Sequence, residues 1–262
     1  MDPSLKRIPP TYEVWALRFG TFPGRRRGEN FIFHGGCDDD LMPLDYYAWL
    51  IRGVDTSVLV DTGATADVLT RRGRTPLSPL KDLLGRLGLR PGDIDHVVLT
   101  HLHWDHAGGV SLFPDAQLHL QARELEFASG HLMRHRVLSE PFEPEDIEAV
   151  QRAVTPAALH TGHVTVAEGI ELHQLGGHTA GLQVVRVRST AGWMVLASDA
   201  LHFDENRTSG NPFPIVVSVA DMLEGHRTCE RLADHAGLII AGHDPSIRVN
   251  YPAIAPDVFK LA

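Results

Sequence analysis

Short apolar runs alternate with polar turns along most of this chain, and their lengths predict a mixed α/β protein. β-branched and aromatic residues fill several of the runs, which suits the pleated and covered surface of a sheet. We expect strands at residues 12–19, 46–52, 56–60, 94–100, 116–120, 170–175, 182–188, 193–197 and 238–241.

Helical periodicity appears between these strands. Five leucines between residues 77 and 87 recur at helical spacing, and glycine and proline close that segment. The predicted helices are residues 77–87, 122–128, 146–154 and 220–235. Two of the apolar strands end in aspartate, at Asp61 and Asp199, and this similarity hints at two related β-rich halves packed face to face with helices outside.

Two segments do not fit this rhythm of strands and helices. Residues 20–45 form a loop rich in glycine, arginine and aspartate. Its Arg25-Arg26-Arg27 run is interpreted as a solvated surface, with a clamp for an acidic group as the alternative. Residues 129–161 are interpreted as an insertion, which either covers the functional site as a lid or is a plain helical excursion.

The composition, with 43% hydrophobic and 22% charged residues, is ordinary for a soluble globular enzyme. The length allows one large domain or two small ones, and the two similar halves favour a single domain over residues 1–262. The net charge of −9 disfavours nucleic acid as a partner, because surfaces that bind nucleic acid are basic. No apolar run approaches the ~20 residues that cross a bilayer, so no membrane association is expected. The first residues lack the apolar segment of a signal peptide, and Cys37 and Cys229 fit no paired motif, so we expect a cytoplasmic protein with free thiols.

The densest group of chemically active residues is His101-Leu102-His103-Trp104-Asp105-His106, directly after the predicted strand 94–100. Histidine and aspartate are common metal ligands, and at this spacing they can face one cavity from a single strand-to-helix loop. The small residues Ala107-Gly108-Gly109 allow a helix to start close to a packed site. Strand ends are also where α/β sheets usually bind ligands. The stretch therefore predicts a metal site.

Three further ligand-type residues, His178, Asp199 and His243, also follow predicted strands. Taken singly, each has the ordinary interpretation of a structural polar residue. Taken with the first cluster, they share one kind of position, the carboxyl end of a strand. This joint pattern favours a single metal centre built from distant parts of the chain.

With these residues the chain resembles the metallo-β-lactamase superfamily of hydrolases over nearly its whole length. The HxHxDH signature of that family matches residues 101–106, and its outlying positions match Asp61, His178, Asp199 and His243. The resemblance implies an αβ/βα four-layer sandwich with the site at its edge, and a ligand loop steadied by Asp61. The implied ligands are His101, His103 and His178 for one metal ion, Asp105, His106 and His243 for a second, and Asp199 as the bridge.

Two divalent ions are the implied cofactors, with zinc(II) expected, although histidine and aspartate also bind Mn, Fe and Co. Two cations ~3.5–4 Å apart can share a hydroxide that attacks an ester-like carbonyl. In this hypothesis the catalytic residues are Asp105, which orients the nucleophile, and His202, which donates to the carbonyl or leaving oxygen. The alternative role of His202 is a simple loop cap.

Within the superfamily, residues 101–109, 198–200 and 242–244 most resemble the N-acyl-homoserine lactonase group. The expected reaction is therefore the opening of a small-molecule lactone or a related carboxylic ester. Two positions depart from that group. Its His-Thr-Pro-Gly-His is here His-Thr-Ala-Gly-Leu at residues 178–182, and His202 stands where those lactonases have tyrosine.

Substrate specificity is expected to come from the loop 20–45, the insertion 129–161 and the apolar residues Phe203, Phe213 and Ile215. Three other activities on this fold stay open as alternatives: a glyoxalase-II-like thioesterase, an iron-dependent sulfur dioxygenase, and a phosphodiesterase or RNA-processing nuclease. The dioxygenase holds one metal with fewer residues than this chain offers, and the net charge disfavours the nuclease. The sequence gives no indication of oligomeric state.

Overall fold

Two β-sheets stack face to face in the structure, a computed structural model that describes residues 10–262. The strands of the larger sheet are β1 (Glu13–Phe22), β2 (Leu44–Arg52), β3 (Ser57–Val60), β4 (Thr75–Pro76), β5 (His96–Val98), β6 (Gln117–Gln121), β7 (Leu159–His160), β13 (Ala253–Ala255) and β14 (Val258–Lys260). The strands of the smaller sheet are β8 (Val164–Ala167), β9 (Ile170–Gln174), β10 (Gln183–Ser189), β11 (Gly192–Ser198) and β12 (Ile239–Ala241).

The α-helices are short, apart from α6 and α8. They are α1 (Ala66–Arg71), α2 (Leu80–Gly85), α3 (Trp104–Ala107), α4 (Ala122–Ser129), α5 (Arg136–Ser139), α6 (Pro144–Ala153), α7 (Asp204–Ser209), α8 (Val219–Leu232) and α9 (Ile247–Asn250). The helix α8 begins where the Ser218 side chain accepts a hydrogen bond from the Asp221 N–H, the usual N-cap arrangement.

The strand order brings several strand ends to one edge of the sandwich. In the larger sheet the order is β13-β14-β1-β2-β3-β5-β6-β7, with β4 beside β1. The neighbours β3, β5, β6 and β7 are parallel. In the smaller sheet, β11 and β12 are parallel within the order β12-β11-β10-β9-β8. Because parallel strands end on the same side, the loops after β3 and β5 emerge together, and so do the loops after β11 and β12.

Apolar side chains follow the pleat of the strands and fill three buried layers. Between the sheets, Trp49 and Val60 of the larger sheet join Leu172 of the smaller sheet in one cluster. Leu83 of α2 belongs to a second cluster on the outer face of the larger sheet, and Cys229 of α8 to a third on the outer face of the smaller sheet. The layers therefore run helix, sheet, sheet, helix, and the predicted αβ/βα sandwich is confirmed.

The predicted helix over residues 77–87 is shorter than its run of leucines. The structure has a helix only at Leu80–Gly85, which starts after Pro79. Beyond it, Gly88 adopts φ +75°, a left-handed conformation that glycine takes without steric cost. Four of the five leucines, Leu80, Leu83, Leu84 and Leu87, still pack in the core. The periodicity therefore predicted most of the burial correctly but overstated the length of the helix.

The predicted strand over residues 94–100 is also shorter, at His96–Val98. It ends early because the Thr100 N–H donates to the Asp61 carboxylate at 2.8 Å and not to a neighbouring strand. The chain therefore leaves the sheet just before His101 and turns into the loop that carries the ligand-type residues.

Several elements have no clear signal in the sequence. The strand β8 and the hairpin of β13 and β14 are only three or four residues long, too short to show a periodic pattern. The insertion 129–161 contains α5, α6 and β7, and α6 lies close to the predicted helical piece 146–154.

Within residues 10–262, no helix combines the length and the apolar character needed to cross a lipid bilayer.

Candidate metal centre

The loops after β3 and β11 each start at a non-glycine residue in the left-handed backbone region, Asp61 just beyond β3 and Ser198 as the last residue of β11. Asp61 has φ +62° and Ser198 has φ +45°, conformations that L-residues rarely adopt and that persist where surrounding contacts fix them. Thr100 supplies such contacts, because its hydroxyl donates to the Asp61 carboxylate at 2.8 Å and lies 2.8 Å from the Ser198 hydroxyl. The two loops are thus joined across the sheets.

The first group of ligand-type side chains comes from three loops, which follow β5, β9 and β11. His178 Nε2 lies 2.9 Å from His103 Nδ1 and 3.2 Å from Asp199 Oδ2. His101 Nε2 lies 3.7 Å from the same Asp199 oxygen. One ligand atom from each of these four residues lies within 4.8 Å of all the others, so the predicted first set is brought together.

The second group lies on the other side of Asp199. His106 Nε2 and His243 Nε2 are each 3.7 Å from Asp105 Oδ2. They lie 3.3 Å and 3.0 Å from Asp199 Oδ1, respectively. Asp199 therefore presents Oδ2 to the first group and Oδ1 to the second, which is the arrangement expected of a bridging carboxylate.

The donor set fits a pair of divalent cations. All seven residues are at most 7% exposed, yet His101 Nε2, His106 Nε2 and Asp199 Oδ1 have no hydrogen-bond partner in the described part of the chain. Buried polar atoms without partners are costly, and here they converge on one place. Imidazole nitrogens and carboxylate oxygens are ligands of zinc and of related transition metals.

The electrostatics of the two groups differ. Burial, together with the neighbouring imidazoles, lowers the pKa of His101 and of His103 well below the ordinary value. Burial also disfavours charge on His106. The surrounding carboxylates, of which Asp199 has the largest effect, outweigh burial and raise the pKa of His106. A divalent cation would replace the protons, because neutral imidazole and ionised carboxylate are the forms that bind metal.

The outer nitrogen of several imidazoles is held by a second partner. His106 Nδ1 donates to Asp61 Oδ2 at 2.8 Å, and His178 Nδ1 donates to the carbonyl of Ile215 at 2.6 Å. His243 Nδ1 donates to the carbonyl of Asp45 at 2.8 Å. These bonds fix the tautomer, so that each Nε2 keeps its lone pair for the centre.

Glu124 is a supporting residue that sequence reasoning missed. Its carboxylate is fully buried and accepts hydrogen bonds from the Leu102 N–H at 3.0 Å and from the Gly181 N–H at 2.9 Å. It thereby ties the loop of His101 and His103 to the loop of His178. Its position in the first turn of α4 gives no spacing signal, because both partners are distant in sequence.

His202 lies beside the bridging carboxylate. Its Nε2 is 3.0 Å from Asp199 Oδ2, and its ring stacks on Phe213 with 3.5 Å between ring centres. Burial lowers the pKa of His202 to about 3, so the ring is neutral near pH 7. In a neutral ring, the Nε2 hydrogen is the one that can reach Asp199. The His202 Nε2–H group therefore donates a hydrogen bond to Asp199 Oδ2.

A model of the metallo-beta-lactamase superfamily matches residues 41–243 of this chain. The match spans every ligand-type residue of both groups. The chain belongs to the metallo-beta-lactamase superfamily. The family resemblance expected from the sequence is thus confirmed.

Relatives within this superfamily include several lactonases. The chain is 31% identical to N-acyl homoserine lactonase AiiB of Agrobacterium fabrum, over 78% of this chain and 81% of that protein. A solved structure of a quorum-quenching N-acyl homoserine lactone hydrolase has a TM-score of 0.72 at 21% identity, over 94% of this chain and 98% of that one. The structure of AidC, described as a dizinc quorum-quenching lactonase, has a TM-score of 0.70 at 19% identity, over 91% and 89%. These structures share the fold.

The two groups of ligand-type residues face a narrow cavity of about 60 Å³. The loop 20–45 reaches the cavity wall through Arg25, and the insertion 129–161 through Pro141. Phe213 and Ile215 also line the wall, as expected, whereas the other apolar residue expected there, Phe203, is buried and lies outside the wall. A lid function for the insertion stays a prediction.

Proposed function

We propose that this chain is a dinuclear-metal hydrolase that opens a lactone or a related carboxylic ester. The observation that carries the proposal is the position of Asp199, whose two carboxylate oxygens face two separate groups of buried ligand-type side chains. Membership of the metallo-beta-lactamase superfamily supports metal-dependent hydrolysis, and relatives named as lactonases support the ester-type substrate.

Seven residues are the proposed metal ligands, and they divide as the two groups divide in space. Zinc(II) is the proposed metal, because imidazole and carboxylate suit it and one structural neighbour is described as a dizinc enzyme. The proposed ligands are His101, His103 and His178 for the first ion, Asp105, His106 and His243 for the second, and Asp199 for both.

When bound, two divalent cations lower the pKa of water and supply positive charge where an oxygen becomes negative. The chain positions the reactants. Asp105 Oδ2 lies between His106 and His243, and we propose that it orients the attacking water and takes its proton. His202 donates to Asp199, so we propose that it positions this carboxylate and does not donate directly to substrate. Tyr46, whose ring packs edge-on against His243, and Phe213 restrict water at the cavity wall.

The test is a hydrolysis panel on protein purified with its native metal. For the wild type we expect two metal ions per chain by elemental analysis and turnover of lactones. The Asp199→Ala variant should lose turnover and at least half of the bound metal. A matched control is Asp234→Ala, an exposed aspartate outside both groups. A single metal ion per chain together with no lactone turnover would overturn the proposal.

The same panel separates the alternatives on this fold. Glutathione thioesters report thioesterase activity, and oxygen uptake with a sulfur substrate reports a dioxygenase with bound iron. Faster turnover of either substrate than of every lactone would replace the proposed reaction. A cytoplasmic location and the absence of a nucleic-acid partner stay predictions.

A further inference from the structure

Two arginines face the cavity above the proposed metal ligands without an acidic partner. Arg25, from the loop after β1, and Arg74, from the loop after α1, both line the cavity that contains His103, Asp105 and His243. Neither guanidinium has an ion pair within residues 10–262. This is unusual, because a partly buried charge is normally paired.

Neighbouring arginines show the ordinary arrangement. Arg27 forms an ion pair with Glu205, and Arg72 lies 2.9 Å from a Glu143 oxygen and 3.1 Å from a Glu140 oxygen. The chain carries a net charge of −9, so carboxylates are not scarce. Two unpaired arginines at the mouth of the site are therefore a specific local feature of the cavity.

Each of the two guanidinium groups is held in place and still has free donors. Arg25 donates to the Asn30 side chain and to the carbonyl of Glu29, while its Cζ lies 4.9 Å from the centre of the Phe213 ring. Its Nη1 makes no hydrogen bond within the described residues. Phe213 in turn stacks on His202 beside the proposed metal centre. The free Nη1 of Arg25 thus lies close to the reaction site.

Arg74 approaches from another part of the wall. Its Nε donates to the Tyr46 hydroxyl at 2.8 Å, and its Nη1 donates to the carbonyl of Arg72 at 2.8 Å. Its Nη2 makes no hydrogen bond within the described part of the chain. The ring of Tyr46 lies 5.2 Å from that of His243, so this arginine is also anchored next to the proposed metal ligands.

The two positive charges also affect one another. Burial lowers the pKa of Arg25, the charge of Glu29 partly offsets this without forming an ion pair, and the nearby Arg74 lowers the pKa further. The guanidinium remains protonated at neutral pH even so, because the ordinary pKa of arginine lies far above neutrality. Two cations that repel each other in a partly buried cavity favour an anion between them, and guanidinium donors match the oxygens of carboxylate and phosphate groups.

We propose that Arg25 and Arg74 form an anion subsite, and that the substrate is a lactone or ester carrying a second, oxyanionic group, either carboxylate or phosphate. This rests on the proposed hydrolase function and names its substrate class. The anionic group binds between the two guanidinium groups while the carbonyl to be attacked lies over the metal ligands.

The test compares two nearly isosteric lactones, 5-oxotetrahydrofuran-2-carboxylate and its neutral 2-carboxamide, with the 2-phosphonate as a third arm. For the wild-type holoenzyme we expect kcat/KM for one of the anions to exceed that of the amide at least tenfold, and the better anion identifies the group. Arg25→Gln and Arg74→Gln should each reduce this preference about tenfold, through a higher KM for the anion. Arg74→Lys keeps the charge and should retain part of the preference.

Arg26→Gln is the matched control, since Arg26 is exposed and donates to the carbonyl of Asp39 outside the cavity. Calorimetric titration with tetrahydrofuran-2-carboxylate and its amide tests the subsite without turnover. An anion preference that is equal in wild type, Arg25→Gln and Arg74→Gln would assign it to the metal ions and overturn the subsite. Equal turnover of all three lactones would also overturn it and leave the hydrolase proposal standing. Arginine-dependent anion binding without turnover of any lactone would support the subsite and reject lactone hydrolysis.

Discussion

Asp61 Oδ2 accepts a hydrogen bond from His106 Nδ1 at 2.8 Å, and the other Asp61 oxygen accepts one from the Thr100 N–H at 2.8 Å. One buried carboxylate therefore sets both the tautomer of a proposed ligand and the point at which β5 ends. Its own backbone is left-handed, at φ +62°. The same Asp61 contacts therefore end β5 and orient His106 in the loop that follows.

Asp61→Asn should weaken metal binding without unfolding the protein. Asparagine tolerates the left-handed backbone. Its side-chain amide has one acceptor oxygen, whereas the Asp61 carboxylate uses one oxygen for Thr100 and the other for His106. Loss of such an outer partner typically lowers metal affinity about 10–100-fold. Competition against a chromophoric chelator measures the change, with circular dichroism as the check on folding. Unchanged affinity would mean that Asp61 serves only the backbone turn.

Glu124→Gln should destabilise the fold and loosen the centre. The wild-type carboxylate accepts from two backbone N–H groups, of Leu102 and Gly181, whereas a glutamine must turn its NH₂ group toward one of them. A buried N–H left without an acceptor costs roughly 1–3 kcal/mol. Chemical denaturation of the metal-free protein measures this loss. Glu126→Gln on the same helix is the control, because Glu126 is exposed, and an equal loss in both variants would contradict the explanation.

The ligand cluster at residues 101–106 was predictable because its members are close in sequence, and short spacing survives any fold. His178, Asp199 and His243 were predictable as a set because each follows an apolar strand, and parallel strands end at a common edge. The αβ/βα layering was implied by the family resemblance, and the two similar strands ending in Asp61 and Asp199 only hinted at two packed halves. Element lengths were less accurate, since side chains such as those of Asp61 and Thr100 decide where a strand stops.

The contacts that complete the site were not predictable. In sequence, Arg25 looks the same as Arg26, yet one lines the cavity and the other is exposed. Glu124 is one of many helical carboxylates, and only the tertiary structure brings Leu102 and Gly181 to it. The position of His202 Nε2, 3.0 Å from Asp199 Oδ2, was not predictable either, because a sequence records no side-chain direction.

His202→Phe should lower kcat about tenfold or more while the protein keeps its metal. Phenylalanine preserves the stacking on Phe213 but removes the donor 3.0 Å from Asp199 Oδ2, so the bridging carboxylate loses a partner that orients it. His202→Gln returns an N–H group and should recover part of the rate. Steady-state kinetics with metal analysis on each variant measures both effects. Full activity in the phenylalanine variant would remove His202 from the mechanism.

Three histidines on neighbouring strands predict a loss of stability in mild acid. His119 Nδ1 lies 2.9 Å from His160 Nε2, and His119 Nε2 lies 3.1 Å from His96 Nδ1. Burial first, and then its two neighbours, lower the pKa of His119 to about 4, whereas an unfolded histidine has a pKa of about 6.5. Between these values the unfolded chain binds a proton that the folded chain does not. The contribution of His119 to stability is therefore complete above pH 6.5 and decreases as the pH falls toward 4.

His119→Gln removes this titration, so its free energy of unfolding should depend less steeply on pH between 6.5 and 4 than that of the wild type. Urea denaturation at several pH values measures the slope. His235→Gln, at an exposed position, should keep the wild-type slope. Acid also protonates the proposed metal ligands, but that contribution is common to both variants, so the difference between them isolates His119. Equal pH dependence of the unfolding free energy in the two variants would show that protonation of His119 does not destabilise the folded protein.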